Sequence, residues 1–162
     1  MNNTIICYIG LGSNLNNPTQ QIKTALLEIT KIPETKLTKS SSLYSSKPLA
    51  PYSEQPSYVN AVAELETTLS AKQLLESLHD IEVIHGRDRK TRWEPRVLDL
   101  DLLLYGEHSI NEPTIRVPHP EMYKRDFVLY PLYEIAPHIT LPGGASLAYL
   151  LANCLDNGLQ KL

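Results

Sequence analysis

Two segments of helical spacing, set among four apolar or alternating segments, predict an α+β fold for this chain of 162 residues. The segments run strand, helix, two strands, helix, strand, and a smaller strand-and-helix tail follows. That is the β-α-β-β-α-β order of ferredoxin-like folds, a largely antiparallel sheet with helices on its faces. No repeat, low-complexity tract or linker interrupts the series, so residues 1–162 read as a single domain.

Thr4 to Leu11 is mostly apolar and rich in Ile, a buried first strand that Gly10 and Gly12 are expected to end. G-L-G-S-N then reads as a tight turn. It lacks the third glycine of a dinucleotide loop and the G-K-[ST] of a phosphate loop. Asn17 can cap a helix with Pro18 at its first position, and Ile22, Ala25, Leu26 and Ile29 form its stripe up to Pro33. Lys36 to Ser46, with its Ser, Thr and Tyr44, reads as one strand with an exposed face. Pro48, Pro51 and Pro56 stiffen a loop, and Tyr58 to Thr67 alternates as a third strand that places Tyr58 and Asn60 on one face.

Ser70 and Gln73 form a capping box, opening a helix with Leu74, Leu75, Leu78 and Ile81 as its stripe and an end near Gly86. Glu82, four residues after Leu78, falls on or beside that stripe. It is either an edge residue reaching solvent or a carboxylate facing the segment that follows. Val97 to Tyr105 is expected as the central strand, before a short segment around Ser109 and Ile110. Pro118 and Pro120 hold His119 in an extended frame. Pro131, Pro137 and Pro142 break up the C-terminal third, and Ser146 to Leu155 reads as a last short helix.

The chemistry concentrates between Gly86 and Leu104. Arg87, Arg89, Lys90, Arg92 and Arg96 place five of the 15 basic side chains within ten residues, and Asp99 and Asp101 then interrupt an apolar run at alternate positions. On a strand those carboxylates share a face, with Cα atoms about 6.6 Å apart, while Leu98, Leu100 and Leu102 face the other way. Two neighbouring carboxylates in a buried strand are costly without cations or partners. Cations held there beside guanidinium groups suit a polyphosphate with Mg²⁺.

Hydrophobic residues make up 42% and charged residues 20%, ordinary for a globular protein. A net charge of −3 argues against nucleic acid or an anionic membrane as the main partner. Cys7 and Cys154 lie far apart, without metal-ligand spacing, and fit a reducing compartment. The N-terminus has no charged n-region and no run approaches a membrane span, so a cytoplasmic location is expected.

The segment H-G-R-D-R-K-T-R-W-E-P-R-V-L-D-L-D-L-L-L-Y-G resembles the signature of the 6-hydroxymethyl-7,8-dihydropterin pyrophosphokinase family of the folate pathway. The likeness extends to I-G-L-G-S-N-L, P-L-A-P-Y-S-E-Q-P-S-Y-V-N-A-V and V-P-H-P-E-M-Y-K-R-D-F-V-L-Y-P-L-Y-E-I-A-P, four blocks in the family's order. It implies transfer of the β,γ-pyrophosphoryl group of ATP to the pterin's hydroxymethyl group, with release of AMP. By the same resemblance, Asp99 and Asp101 would bind two Mg²⁺ ions, and Arg87 and Arg96 would steady the moving phosphates. Arg89 and Trp93 would close over the bound nucleotide, with Arg87, Arg89 and Arg96 contacting ATP and Trp93 also the pterin. Glu82, Leu102, His119 and Arg125 would contact ATP, with His79 standing where the family carries a Gln. Tyr58 and Phe127 would sandwich the pterin, Asn60 would read its polar edge, and Ser46, Lys47 and Leu49 would complete its hydrogen bonds. A monomer whose partners are these two small molecules is expected.

Two other classes fit less of the sequence. A ferredoxin-like nucleic-acid module would use a basic loop and exposed aromatics but gives no reason for Asp99 and Asp101 beside the arginines. A metal-dependent nuclease would explain the carboxylates but not the block around Tyr58 and Asn60.

Overall fold

The computed structural model describes residues 3–47, 57–86, 97–155 and 158–162. Their elements are β1 (Ile5–Ser13), α1 (Pro18–Ile29), β2 (Thr35–Ser40), β3 (Tyr44–Ser46), β4 (Tyr58–Thr67), α2 (Ala71–Ile84), β5 (Asp99–Tyr105), β6 (Ile110–Asn111), β7 (Arg116–Val117), α3 (Asp126–Ile135), α4 (Leu147–Ala152) and β8 (Gln160–Lys161). The main sheet runs β5-β1-β4-β3-β8, with β2 also on β4, and its pairings are antiparallel. With β2 and β3 taken as one broken strand, this is the ferredoxin-like arrangement expected from the element order.

The break between β2 and β3 corrects the single strand expected over Lys36 to Ser46. At Ser41 the chain leaves the ladder but not its partner. Ser41 N donates to Val62 O at 2.8 Å, and Ser41 Oγ accepts from Val62 N at 2.9 Å. A side chain there substitutes for a carbonyl, so the buried amide of Val62 stays satisfied.

Three further expectations change. β1 does not stop at its glycines but runs through Gly10 and Gly12 to Ser13, paired on both sides. β5 lies at the sheet edge, and β1 and β4 are the central strands. The run D-F-V-L-Y-P-L-Y-E-I forms α3 despite Pro131, which sits inside it. Val128, Leu129, Pro131 and Leu132 are all buried there, and that apolar burial outweighs the lost helix bond.

The sheet separates two cores. On one face Ile22, Ala25 and Ile29 of α1 and Leu74, Leu78 and Ile81 of α2 pack on Ile9, Leu11, Leu65, Leu98, Leu100 and Leu102. On the other face Leu129 and Leu132 of α3 and Leu147 of α4 pack on Tyr8, Val62, Leu103 and Leu104. β5 serves both because its register against β1 slips between Tyr8 and Ile9, so Leu103 and Leu104 both join the second core.

The helix ends follow their sequence signals unevenly. The capping box of α2 forms as expected, with Ser70 Oγ accepting from Gln73 N at 3.1 Å and Gln73 Oε1 from Ser70 N at 3.0 Å. Asn17 precedes Pro18 at the start of α1, but it is left-handed (φ 63°) and its side chain makes no capping bond. Burial pushes the Cys7 thiol up to about 12. Among the described residues no helix is long and apolar enough to cross a membrane.

Candidate active site

On the face of the sheet that α3 partly covers, β1 carries two glycines: the Leu103 side chain covers Gly10, and Gly12 is the floor of a trough. Gly10 pairs with Val62 on one side and Asp101 on the other; Gly12 pairs with Asn60 and Asp99. Residues directly opposed in antiparallel strands share a face, so Asn60 and Asp99 stand on either side of a position without a side chain. Two strand spacings put them roughly 10 Å apart. A Cβ at Gly12 would come within 3.4 Å of Asn60 Oδ1, so the glycine leaves the space between these groups open.

One wall comes from β3 and β4. Tyr44 pairs with Asn60 and Ser46 with Tyr58, which sets all four on the trough face. Asn60, 4% exposed, donates from Nδ2 to Ser46 Oγ at 2.6 Å. That bond fixes the amide's orientation, so its acceptor Oδ1 is the atom nearest the glycine floor. Tyr58 is half-buried and Lys47 exposed. Phe127 stands in the first turn of α3, which packs on β4 and β3. The Arg125 guanidinium carbon lies 5.5 Å from its ring centroid, a cation–π arrangement.

The opposite wall is acidic. Asp99 and Asp101 are half-exposed, while Leu100 and Leu102 between and after them are buried in the first core, as the alternation predicts. His119 joins them from beyond β7. Its backbone N donates to Leu103 O at 2.9 Å, and its Nε2 lies 4.0 Å from Asp101 Oδ1. Nδ1 accepts from Glu121 N at 3.2 Å, which leaves the proton of the neutral ring on Nε2, facing Asp101. Burial, with the nearby Arg125, lowers the pKa of His119, against the opposing pull of Asp99 and Glu121.

Glu82 is settled by the edge position of β5. It is fully buried, and its Oε2 accepts from Leu100 N at 2.8 Å. Leu100 lies between the two aspartates on a strand that, among the described residues, has a partner on one side, and Glu82 supplies the acceptor that a further strand would have offered. The solvent-reaching alternative is therefore overturned. Glu82→Ala is expected to lower stability by about 2 kcal/mol in urea unfolding, because it strands a buried donor. Glu82→Gln, which keeps an acceptor oxygen, should lose less.

A cleft of about 300 Å³ opens beside this wall, lined by Leu75, His79 and Glu82 of α2, by residues 99–102 of β5 and by residues 113–117 with His119 and Pro120. Leu102 and His79 thus reach the cleft. Arg116 and Thr114 also line it, and the sequence marks neither beyond a lone arginine immediately before V-P-H-P, away from the basic cluster. Leu49, Arg87, Arg89, Trp93 and Arg96 lie outside the described residues, as do Lys90, Arg92 and the prolines at 48, 51 and 56.

No cluster of three or more His, Cys, Asp or Glu side chains that could hold a metal occurs among the described residues. The donor set still fits one cation type. Mg²⁺ keeps several waters and binds through one or two carboxylates plus substrate oxygens, so two half-exposed aspartates facing a trough meet its needs.

Residues 8–137 match the sequence model of the family described as 7,8-dihydro-6-hydroxymethylpterin-pyrophosphokinase (HPPK). A 2-amino-4-hydroxy-6-hydroxymethyldihydropteridine pyrophosphokinase of Pseudomonas aeruginosa is 48% identical over 155 residues, covering 96% of this chain and 95% of that one. The protein of the same name from Haemophilus influenzae is 46% identical over 158 residues, covering 98% of each. Among solved structures, an HPPK-DHPS in complex with substrates superposes with a TM-score of 0.74 at 12% identity, over 91% of this chain and 43% of that chain. The wild-type HPPK-DHPS of Plasmodium falciparum with pteroate gives 0.70 at 14% identity, over 94% and 42%. The chain thus spans under half the length of these two structures, and the likeness to them concerns the fold.

Proposed function

The chain belongs to the 7,8-dihydro-6-hydroxymethylpterin-pyrophosphokinase family, and from that premise we propose how its residues transfer the pyrophosphoryl group of ATP to the hydroxymethyl group of 6-hydroxymethyl-7,8-dihydropterin. The products are AMP and the pterin diphosphate, a step of folate biosynthesis. The observation that carries the reading is the glycine-floored trough, with an oriented amide on one side and two carboxylates on the other.

The pterin lies on the Asn60 side. Asn60 Oδ1 accepts from the ring's polar edge while Ser46 holds the amide, and Lys47 and Leu49 supply neighbouring contacts. Tyr58 and Phe127 take the two faces of the bicycle, worth about 0.5–1.5 kcal/mol per ring pair beyond area burial. The nucleotide occupies the cleft beside β5, against Leu102 and Glu82, with His119, which lines that cleft, and Arg125 as the contacts proposed for its phosphates.

Asp99 and Asp101 would hold two Mg²⁺ ions, which would neutralise phosphate charge and ease deprotonation of the acceptor hydroxyl. The chain's own task is alignment. The strand fixes the two carboxylates at one spacing, the amide fixes the acceptor, and their separation across Gly12 sets the attack distance. Arg87, Arg89, Arg96 and Trp93 complete the reading on the strength of the sequence motif, as groups that steady the phosphates and close over them.

Both cores are built on one sheet, which supports a single domain over residues 1–162. Action as a monomer is part of the same proposal. The two cysteines, far apart in the sequence and without metal-ligand spacing, are in keeping with the cytoplasmic setting we propose.

The test is product identity. With ATP, Mg²⁺ and the hydroxymethyl pterin, AMP and the pterin diphosphate are expected in equal amounts. Formation of ADP, or no pterin-dependent turnover, overturns the reading.

A further inference from the structure

Glu134 lies seven residues after Phe127 on α3, on the same helix face and about 10.5 Å along its axis. Its carboxylate gathers donors from three other places in the chain. Oε1 accepts from the Tyr44 hydroxyl at 2.5 Å. Oε2 accepts from Ser42 N at 2.8 Å and from Ser42 Oγ at 3.1 Å. Lys161 Nζ on β8 lies 3.9 Å from Oε1. The hydrogen bonds and the lysine hold the Glu134 carboxyl below its usual range despite partial burial, so at neutral pH it is the charged acceptor this geometry requires.

The strand held in this way is short. β3 has three residues, paired with β4 at three positions and with β8 at two. A ladder of that length fixes position weakly by itself. Yet β3 carries Ser46, the residue that orients Asn60, and Tyr44, which pairs with Asn60 in the ladder. α3 carries Phe127. Glu134 therefore ties the element bearing one wall of the acceptor slot to the element bearing the other.

We propose that Glu134 is a positioning residue for the pterin: by bonding Tyr44 and Ser42 it sets where Phe127 stands relative to the Ser46–Asn60 pair, and so the alignment of the ring's stacked face with its hydrogen-bonded edge. The proposal rests on the reading that Phe127, Tyr58 and Asn60 hold the pterin. The carboxylate touches no substrate; it acts through Tyr44 and Ser42, with Lys161 as its counter-charge.

The full-length Glu134→Gln variant tests it. A glutamine keeps one acceptor oxygen but presents an NH₂ group to donors that need a second. The expected result is about a tenfold rise in the pterin's KM and in its Kd measured calorimetrically, with KM for ATP and kcat within about twofold. Tyr44→Phe should change the same constants in the same direction. The double variant should be no worse than the weaker-binding single variant, because both changes break one link. Should Glu134→Gln fail to fold, Tyr44→Phe, which removes only a hydroxyl, carries the same test. An unchanged pterin KM overturns the proposal, as does a parallel loss in both KM values and kcat, since that is what general destabilisation produces. Phe127→Ala separates the two layers. If it weakens pterin binding while Glu134→Gln and Tyr44→Phe do not, the positioning role fails alone. If Phe127→Ala also leaves pterin binding unchanged, the pterin site itself has been misread.

Discussion

Replacing either Asp99 or Asp101 with alanine is expected to reduce AMP formation by about a thousandfold or more, with little change in melting temperature. The size follows from the role proposed for these groups. Charge stabilisation around a transferring phosphoryl group is worth several kcal/mol, and each 1.4 kcal/mol is a factor of ten in rate. The modest stability effect follows from their placement. Both carboxylates are half-exposed on the trough face, while the apolar contacts that hold β5 in place come from Leu98, Leu100 and Leu102 on the opposite face and from Leu103 and Leu104 in the second core. Surface substitutions away from the core usually change stability by about 0.5 kcal/mol or less. Asp101→Asn distinguishes charge from shape. It preserves the outline of the side chain and should still lose most of the rate, because a neutral amide cannot offset a dication. Steady-state AMP formation across a magnesium titration, beside thermal melts, checks all three variants. Turnover near that of the parent chain in any of them would remove that residue from the metal-binding role.

The parts of this arrangement legible in the sequence are those written in local spacing. Alternation from Leu98 to Leu102 announces a strand with acids on one face, and it holds whether the strand lies at the centre or the edge of the sheet. Ser70 and Gln73 announce their helix because a capping box is complete within four residues. Where the deciding partner lies far along the chain, the signal is absent. Gly10 and Gly12 read as a stop because glycine usually punctuates strands; only β4 and β5, paired on either side, keep them in the ladder and make Gly12 a floor. Glu82 was ambiguous until the outward amide of Leu100 gave it a partner 18 residues away. Ser41 breaks a strand that looked continuous, and it does so through a bond to Val62 that no periodicity encodes. Pro131 concealed α3 because a helix interior is a poor place for proline until the burial of its neighbours is known. Arg116 had only its charge to offer, and one exposed arginine carries no positional information.

Gly12→Val is expected to lower turnover by about a hundredfold while the protein still folds, and the reason is the same floor. Valine favours extended backbone, and Gly12 is not among the glycines with positive φ, so the substitution brings no backbone strain. β1 is held by ladders on both sides at this position, which resists local rearrangement. What changes is the space above the glycine. A single Cβ meets Asn60 Oδ1 at 3.4 Å, an ordinary contact, so Gly12→Ala should cost only about threefold in kcat/KM. The two methyl groups of valine must then turn toward Asn60, toward Asp99, or into the trough between them. Each choice displaces the acceptor from the phosphates, and a misplacement on the order of 1 Å is enough for about a hundredfold in rate. Parallel measurement of kcat, the pterin's KM and the melting temperature reads the result. A folded Gly12→Val protein with parent-like kinetics would show that the substrates do not meet over β1. An unfolded one would show that glycine is needed there for the sheet and not for the space above it.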